Sequence, residues 1–156
     1  MKTNRRSIFK KLALGITGVL GFSAVRAGSE KSNSTGGEKV AGSIVYDQDV
    51  PLFSGHTVFG NLVFIAGKGY HKEGDIKVST KMVLDELQSE LEKAGSSMDQ
   101  VLKVNVYLND IKEWGLMNEM YKGRFGKNPP VRTTIAPAGG IPGNSLVEID
   151  CIAYKK

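Results

Sequence analysis

Arg132 and Glu148 are the two residues of this sequence whose types and positions suggest chemistry. Each lies in a short run of β-branched and apolar residues that predicts a strand, Val131–Ile135 for the arginine and Leu146–Ile152 for the glutamate. The residues between these runs are mostly small and all uncharged. Because an arginine is rarely buried without a partner, Arg132 must reach solvent, a carboxylate or a ligand.

The pair admits two interpretations. In the first, Arg132 forms a cross-strand ion pair with Glu148 or Asp150, which contributes little to stability if it is exposed. In the second, Arg132 and Glu148 line a cleft at a subunit boundary. Arg132 would then bind a substrate carboxylate through two parallel N–H···O bonds, and Glu148 would hold and activate a water molecule. The residue types alone favour neither interpretation.

Few other side chains are candidates for a site. Lys68 lies in the glycine-rich stretch GKGYHKEG, residues 67–74, and could reach an anion. That stretch lacks the Gly-Lys-Ser/Thr ending of a phosphate-binding P-loop, so its glycines are better explained by turns. His56, His71 and Cys151 show no ligand-like spacing, so we expect neither a metal nor another cofactor. Cys151 is the only cysteine, and the run EIDCIAY predicts that it packs as a small apolar side chain.

The periodicity of the apolar residues indicates which elements position these groups. Two strand-like runs flank Gly60-Asn61, which predicts a hairpin. Apolar residues recur at three-, four- and seven-residue spacings over Asp75–Ala94, which predicts a helix that Gly95 ends. Alternation of apolar and polar residues predicts a strand over Val101–Leu108.

A second helix is predicted to begin at Asp110, with an apolar stripe formed by Trp114, Met117, Tyr121 and Phe125. The resulting order, β-β-α-β-α-β-β, predicts a two-layer α+β domain in which two helices cover one face of a sheet. The other face would still carry Val, Ile, Leu and Phe side chains. An exposed apolar face of this kind usually marks a subunit contact, so we expect a symmetric homo-oligomer.

Residues 1–27 have the features of an export signal. A basic start, an apolar stretch of 14 residues and small residues before Gly28 are typical of such signals. The stretch is shorter than the ~20 residues of a conventional membrane span. NRRSIFKK, residues 4–11, resembles the twin-arginine (Tat) export motif. We therefore expect recognition by the Tat export machinery, a bacterial periplasmic location and no stable membrane span in the mature protein; a general secretory signal or an uncleaved anchor is the alternative.

The composition changes after this signal. Residues 28–42 are rich in Gly, Ser and charge and predict a flexible tether, so the folded domain is expected to span residues 43–156. Six of the 21 Lys and Arg residues and none of the 16 acidic residues lie within residues 1–27. Residues 28–156 therefore carry 15 basic and 16 acidic residues, a formal charge of −1. This balance argues against a nucleic-acid partner, because phosphate binding needs a basic surface.

Several segments carry a resemblance to a known family. NPPVRTT and LVEIDCIAY, residues 128–134 and 146–154, form a pattern of Pro-x-Arg followed by Val-Glu-Ile. GNLVFIAG, LEKAGSSMDQVLKVNVYLND and MNEMYKGRFGKNPP are similarly distinctive. Together these segments resemble the RidA/YjgF family of reactive enamine/imine deaminases, and the resemblance runs from about Ser43 to Ala153.

The resemblance implies a fold, an assembly and an activity. The family fold is chorismate-mutase-like, with two helices on one face of a sheet, and it forms homotrimers whose sites lie between subunits. Known members hydrolyse 2-aminoacrylate and related imines to 2-keto acids and ammonia. By position, Arg132 resembles the family's carboxylate-binding arginine, and Glu148 resembles the glutamate that orients the hydrolytic water. Gly67 lies where a family glycine offers its backbone to the substrate.

The pocket departs from the family pattern at several positions. Phe53 stands where a tyrosine is usual, and it can pack against a ligand but donates no hydrogen bond, a loss of ~0.5–1.5 kcal/mol at a polar contact. Thr134 occupies a position that is often cysteine, and Ala66 one that is often serine. The expected catalytic residues are Arg132 and Glu148, and the expected substrate-binding residues are Arg132, Gly67, Phe53, Thr134 and Lys68.

These observations lead us to expect a trimeric, cofactor-free hydrolase that acts on small 2-imino or enamine acids and releases 2-keto acids. Two alternatives belong to other classes of protein. One is a module that binds a small carboxylate without performing chemistry. The other is a chaperone-like interaction protein that uses its apolar surface.

Overall fold

The structure of the protein is a computed structural model that describes residues 37–156. The predicted export signal, residues 1–27, and residues 28–36 of the predicted tether lie outside the described residues, so the signal remains a prediction. The last residues of the predicted tether are part of the fold, because the first strand begins at Val40.

The described chain forms six strands and two helices, one strand more than predicted. In chain order they are β1 (Val40–Asp47), β2 (Val50–Phe59), β3 (Leu62–Gly69), α1 (Ile76–Lys93), β4 (Val101–Leu108), α2 (Trp114–Tyr121), β5 (Val131–Ile135) and β6 (Val147–Tyr154). The additional strand is β1, whose first residues, Val40–Gly42, fall within the predicted tether. It becomes a strand by pairing antiparallel with β2. The predicted α+β class with two helices and one sheet is confirmed.

The strands form a single mixed sheet in the order β1-β2-β3-β6-β4-β5. The pairs β1–β2, β2–β3, β3–β6 and β6–β4 are antiparallel. Strands β4 and β5 are parallel, as a crossover through α2 requires. Strand β6, the last in the chain, therefore lies in the middle of the sheet beside β3 and β4.

The core lies between the two helices and one face of the sheet, here called the helix-covered face. Buried and partly buried residues alternate along β6, with Ile149 and Cys151 fully inside. They pack in one cluster with Val104 of β4 and with Leu87 and Leu91 of α1, all of which have no exposed surface. This strict alternation is the period-two pattern of a sheet with one buried face.

The opposite face of the sheet, here called the open face, carries large apolar side chains that no helix covers. Phe59, Leu62, Phe64, Val131 and Ile135 are between 37% and 71% exposed. Cross-strand pairs place Leu62 and Phe59 side by side, and Phe64 beside Ile152 of β6. Neither described helix is long and apolar enough to cross a membrane.

The helix ends follow local capping rules, with one departure from the prediction. Asp75 caps α1 by accepting a hydrogen bond from the Val78 amide at 2.9 Å, and Gly95 ends it with a φ of 81°. The second helix is shorter than predicted, because a 3₁₀ turn precedes Trp114 and leaves its ring 49% exposed. Phe125 lies beyond the helix yet is buried, 4.8 Å from the ring of Tyr121.

Leu87→Ala is expected to lower the free energy of unfolding by about 2–5 kcal/mol, because it removes buried methyl groups and leaves a cavity between α1 and the sheet. Urea denaturation at a fixed protein concentration measures the change. Val78→Ala, at an exposed position of the same helix, is the matched control and should change the value by less than about 0.5 kcal/mol. Equal losses in both variants would contradict the core position of Leu87.

Candidate active site

Glu148 lies on the open face of the sheet, where it packs against β3. It pairs with Gly69 on one side and with Tyr107 of β4 on the other. Its carboxylate occupies the space beside Gly67 that any side chain at position 67 would take, because a Cβ there would overlap Oε1. The structure therefore brings together two of the predicted residues, Gly67 and Glu148, and explains the glycine by close packing.

A tyrosine and a second carboxylate lie near Glu148. Burial raises the pKa of the Tyr107 phenol, and the charges of Asp150 and Glu148 raise it further. The phenol is therefore neutral at physiological pH. Asp150 accepts a hydrogen bond from the Asn105 amide at 2.8 Å. This part of the open face is thus acidic, with one carboxylate hydrogen-bonded to an amide and Glu148 beside the glycine.

Arg132 lies on the helix-covered face, opposite to Glu148. It pairs with Val104, which in turn pairs with Cys151, and both of these residues are buried beneath the helices. The guanidinium carbon lies 4.5 Å from the centre of the Tyr121 ring, which is a cation–π contact. Within residues 37–156 Arg132 forms no ion pair, so the predicted alternative of a cross-strand pair with Glu148 or Asp150 is not observed.

Two buried hydroxyl groups lie on the same face as Arg132. The Tyr121 hydroxyl and Thr134 Oγ1 have no hydrogen-bond partner among the described residues. Burial raises the pKa of Tyr121 to about 12, although the positive charge of Arg132 acts in the opposite direction. The phenol therefore stays neutral. Buried polar groups are usually hydrogen-bonded, so this edge of the sheet has unused capacity to bind a polar ligand.

A single protomer does not bring the predicted catalytic pair together. Arg132 and Thr134 share the helix-covered face of the edge strand β5, whereas Glu148 lies on the open face of β6. Side chains on opposite faces of a sheet cannot bind one small ligand from the same side. Any site that uses both Arg132 and Glu148 must therefore combine surfaces from two protomers.

The remaining predicted residues line a cleft beside α1. Phe53, Gly67 and Lys68 form part of its wall, and its volume is about 460 Å³. The Phe53 ring is 52% exposed, so it offers an apolar surface to whatever enters. Gly67 lines this cleft and also lies against Glu148, which does not itself line the cleft.

Lys68 is held by a buried carboxylate that the sequence prediction missed. Its Nζ lies 3.5 Å from Oε2 of Glu90, and the same oxygen lies 3.3 Å from Lys93 Nζ. The other carboxylate oxygen, Oε1, lies 2.7 Å from His56 Nδ1. Burial acts to raise the pKa of Glu90, but hydrogen bonds from His56 and Ser43 and the charge of Lys68 lower it to about 2. Glu90 follows Leu87 by three residues and precedes Ala94 by four. This spacing in the sequence could have placed Glu90 on the apolar stripe of α1.

The other singled-out side chains have structural roles. His71 Nδ1 donates a hydrogen bond to the Gly143 carbonyl at 3.0 Å and lies among the turns near the cleft. Cys151 is 2% exposed, and burial raises the pKa of its thiol to about 12, which confirms the predicted apolar role. Within residues 37–156 no group of His, Cys, Asp and Glu side chains is arranged to hold a metal ion.

The sequence profile described as "Endoribonuclease L-PSP" matches residues 49–155, which is most of the described chain. The protein belongs to this family. A RutC family protein of Pyrococcus abyssi is 38% identical over 104 residues, which cover 62% of this chain and 81% of the relative. The mitochondrial protein mmf2 of Schizosaccharomyces pombe is 39% identical over 102 residues, 60% of this chain and 80% of the relative.

Solved structures of family members have the same fold. The crystal structure of a member of the YjgF/YER057c/UK114 family from Mycobacterium tuberculosis superposes with a TM-score of 0.66 at 28% identity. The alignment covers 75% of this chain and 99% of that one. Membership of the RidA/YjgF family, expected from the sequence, is thereby confirmed.

The low pKa of Glu90 predicts how stability depends on pH. Its folded-state value, about 2, lies below the ordinary value of 4.5, so the carboxylate stabilises the fold above pH 4.5 and loses this effect as the pH falls towards 2. The unfolding free energy of wild type minus that of Glu90→Gln is therefore expected to be largest near neutral pH and to shrink below pH 4.5.

Urea denaturation at a series of pH values tests this expectation. Glu92→Gln removes an exposed carboxylate from the same helix and serves as the control, which should follow wild type closely. A difference between wild type and Glu90→Gln that stays constant from pH 7 to pH 2 would contradict the buried charge interaction.

Proposed function

We propose that this protein is a cofactor-free hydrolase that converts small 2-imino or enamine acids, of the 2-aminoacrylate type, to 2-keto acids and ammonia. The observation that carries the proposal is the partial burial of Arg132 and Glu148 together with their lack of ionic partners within residues 37–156. A partly buried charge without an ionic partner is a favourable place for a ligand of opposite or complementary character.

The proposed site combines two protomers of a homotrimer. One protomer contributes Glu148 and Gly67, and its neighbour contributes Arg132 and Thr134 from the edge strand β5. Two observations support this arrangement: the two charged residues lie on opposite faces of the sheet, and the open face carries uncovered apolar side chains. A three-fold assembly would bury those side chains and would repeat the same interface three times.

In the proposed mechanism Arg132 binds the substrate carboxylate through two parallel N–H···O bonds and so fixes the position of the imine carbon. Glu148 accepts a hydrogen bond from a water molecule and takes its proton as the water oxygen bonds to that carbon. Glu148 returns that proton to the nitrogen, which gives a carbinolamine. It then transfers the hydroxyl proton to the same nitrogen as the C=O bond forms, the C–N bond breaks and ammonia leaves. One water is consumed and one ammonia is released, and the carboxylate returns to its ionised form.

Arg132→Ala is expected to abolish turnover without unfolding the domain, and Glu148→Gln to slow it by about 10²–10⁴-fold while leaving binding of a 2-keto acid largely intact. The assay measures ammonia release from an imine that an amino-acid oxidase generates in situ. Asp150→Asn alters the neighbouring carboxylate of the open face and is the matched control, with most activity retained. Full activity in Arg132→Ala would refute the proposal.

Mixing the two inactive variants tests the shared site itself. If Arg132 and Glu148 come from different protomers, co-assembly of equal amounts of Arg132→Ala and Glu148→Gln chains should restore about a quarter of wild-type activity. Half of the sites receive an intact Arg132 from one chain, and half of those receive an intact Glu148 from its neighbour. If both residues acted within one protomer, no mixed trimer would contain an intact site. Absence of any recovery in verified mixed oligomers would therefore exclude the two-protomer arrangement.

Phe64→Glu is expected to dissociate the oligomer, because it places a charge in the middle of the apolar open face. Light scattering after size exclusion should give a trimer mass for wild type and a smaller mass for the variant, which should also lose activity. Val78→Glu makes the same change at an exposed position of α1 and should remain trimeric. A monomeric wild-type protein would contradict the assembly and the shared site together.

A further inference from the structure

Arg132 lies on a strand at the edge of the sheet. Strand β5 pairs with β4, which places Arg132 next to Val104, and it is the last strand in the sheet order. An arginine side chain has many rotamers, and within residues 37–156 Arg132 has no ion pair that would select one of them. The strand pairing therefore fixes where this side chain begins, and another contact must fix where its guanidinium lies.

The ring of Tyr121 provides such a contact. The guanidinium carbon of Arg132 lies over this ring, 4.5 Å from its centre, which is within the distance of a cation–π contact. The Tyr121 hydroxyl has no hydrogen-bond partner among the described residues, so the face of the ring and not the hydroxyl holds the guanidinium. A contact with the ring face leaves the N–H donors of Arg132 free for a carboxylate ligand.

The Tyr121 ring is itself firmly held. Tyr121 is the last residue of α2 and is only 9% exposed. The ring of Phe125 packs against it, with centroids 4.8 Å apart and planes inclined at 38°. The Tyr121 carbonyl accepts a hydrogen bond from the Arg124 amide at 3.2 Å, and the Arg124 guanidinium forms an ion pair with Asp85 of α1 at 2.7 Å. The ring is therefore anchored to both helices and can orient a mobile side chain.

We propose that Tyr121 is a positioning residue whose ring face holds the guanidinium of Arg132 in the orientation that binds the substrate carboxylate. The inference rests on the proposed function, in which Arg132 fixes the imine carbon in front of the water that Glu148 activates. A guanidinium that is oriented before the ligand arrives loses less conformational entropy on binding. Tyr121 acts through Arg132 and takes no part in bond making.

Titration calorimetry with 2-oxobutanoate, a stable product-like ligand, tests the role of the ring. Tyr121→Phe keeps the ring and removes only the unpartnered hydroxyl, so it should retain wild-type affinity. Tyr121→Leu removes the ring and should weaken binding by about 5–30-fold, as a partly desolvated cation–π contact implies.

A trifluorophenylalanine at position 121 tests the contact without removing the ring. The fluorine atoms withdraw negative charge from the ring face and change its size little, so binding of 2-oxobutanoate should weaken relative to Tyr121→Phe while the thermal stability stays similar. This variant decides the question where Tyr121→Leu fails to fold. Equal affinity in the fluorinated variant and in Tyr121→Phe would overturn the inference.

Steady-state kinetics separates positioning from a merely structural role. Because Arg132 binds the carboxylate in both the ground state and the transition state, loss of its orientation in Tyr121→Leu should raise KM by about 5–30-fold and lower kcat less. A structural defect would instead lower the concentration of folded enzyme, so kcat would fall and KM would stay unchanged. That second pattern would count against Tyr121 as a positioning residue.

Mixed oligomers show which protomer needs the ring. When Arg132→Ala and Glu148→Gln chains co-assemble, every restored site takes its Arg132 from a Glu148→Gln chain. Tyr121→Leu added to the Glu148→Gln chain should therefore raise the KM of the restored sites. The same change on the Arg132→Ala chain should leave that KM unaltered, and equal effects from the two placements would contradict the proposal.

The outcomes separate this inference from the function on which it rests. Wild type that binds 2-oxobutanoate but releases no ammonia from any imine would refute the hydrolase, and weaker binding by Tyr121→Leu would still support the role of the ring. Ammonia release by wild type, with unchanged KM and affinity in the ring variants, would overturn the role of Tyr121 and leave the hydrolase intact. Wild type that neither binds 2-oxobutanoate nor releases ammonia would refute both.

Discussion

The alternation of side chains along the central strands is the constraint on which the rest of the structure depends. In β6, Ile149 and Cys151 point to the helices, and the residues between them point to the open face. Shifting the strand by one residue would bury Glu148 and Asp150 in the core and expose two core side chains, so the register is fixed by the hydrophobic effect. The position of Glu148 beside Gly67 is thus a consequence of core packing.

The same constraint places Arg132 on the helix-covered face, where it has no acidic partner within residues 37–156. Its contact with Tyr121 is of a different kind, because an aromatic face attracts the guanidinium while leaving its N–H groups available. A carboxylate partner would occupy those donors and would compete with a carboxylate ligand. The pairing with an aromatic ring therefore agrees with a role in ligand binding better than an ion pair would.

Much of the fold could be predicted from local patterns, and the parts that could not depend on tertiary pairing. The helix after Asp75 and its end at Gly95 follow from capping and from an apolar stripe that is visible in the sequence. Strand β1 was missed because its first residues, Val40–Gly42, continue the composition of the tether, and its pairing with β2 is not visible in the sequence. The segment after Tyr121 turns at Gly123, with a φ of 81°, and this brings Phe125 into the core without a helix.

The candidate site was predictable as a set of residues but not as an arrangement. Arg132 and Glu148 stand out by type in the sequence, yet their faces are decided by how β5 and β6 each pair with β4. Both strands flank β4, so an arginine next to Val104 must lie on the face of Cys151. That relation is a property of the assembled sheet and is invisible to spacing along the chain.

Glu90, with its partners His56, Lys68 and Lys93, shows how a charge can persist in a helix stripe that otherwise packs the core. Its carboxylate is ionised because several donors surround it, and its pKa of about 2 means that it never becomes neutral at physiological pH. Removing one partner would leave part of the charge unpaired, so each member constrains the others. The strand residues His56 and Lys68 and the helix residue Glu90 consequently fix β2, β3 and α1 to one another at the wall of the cleft.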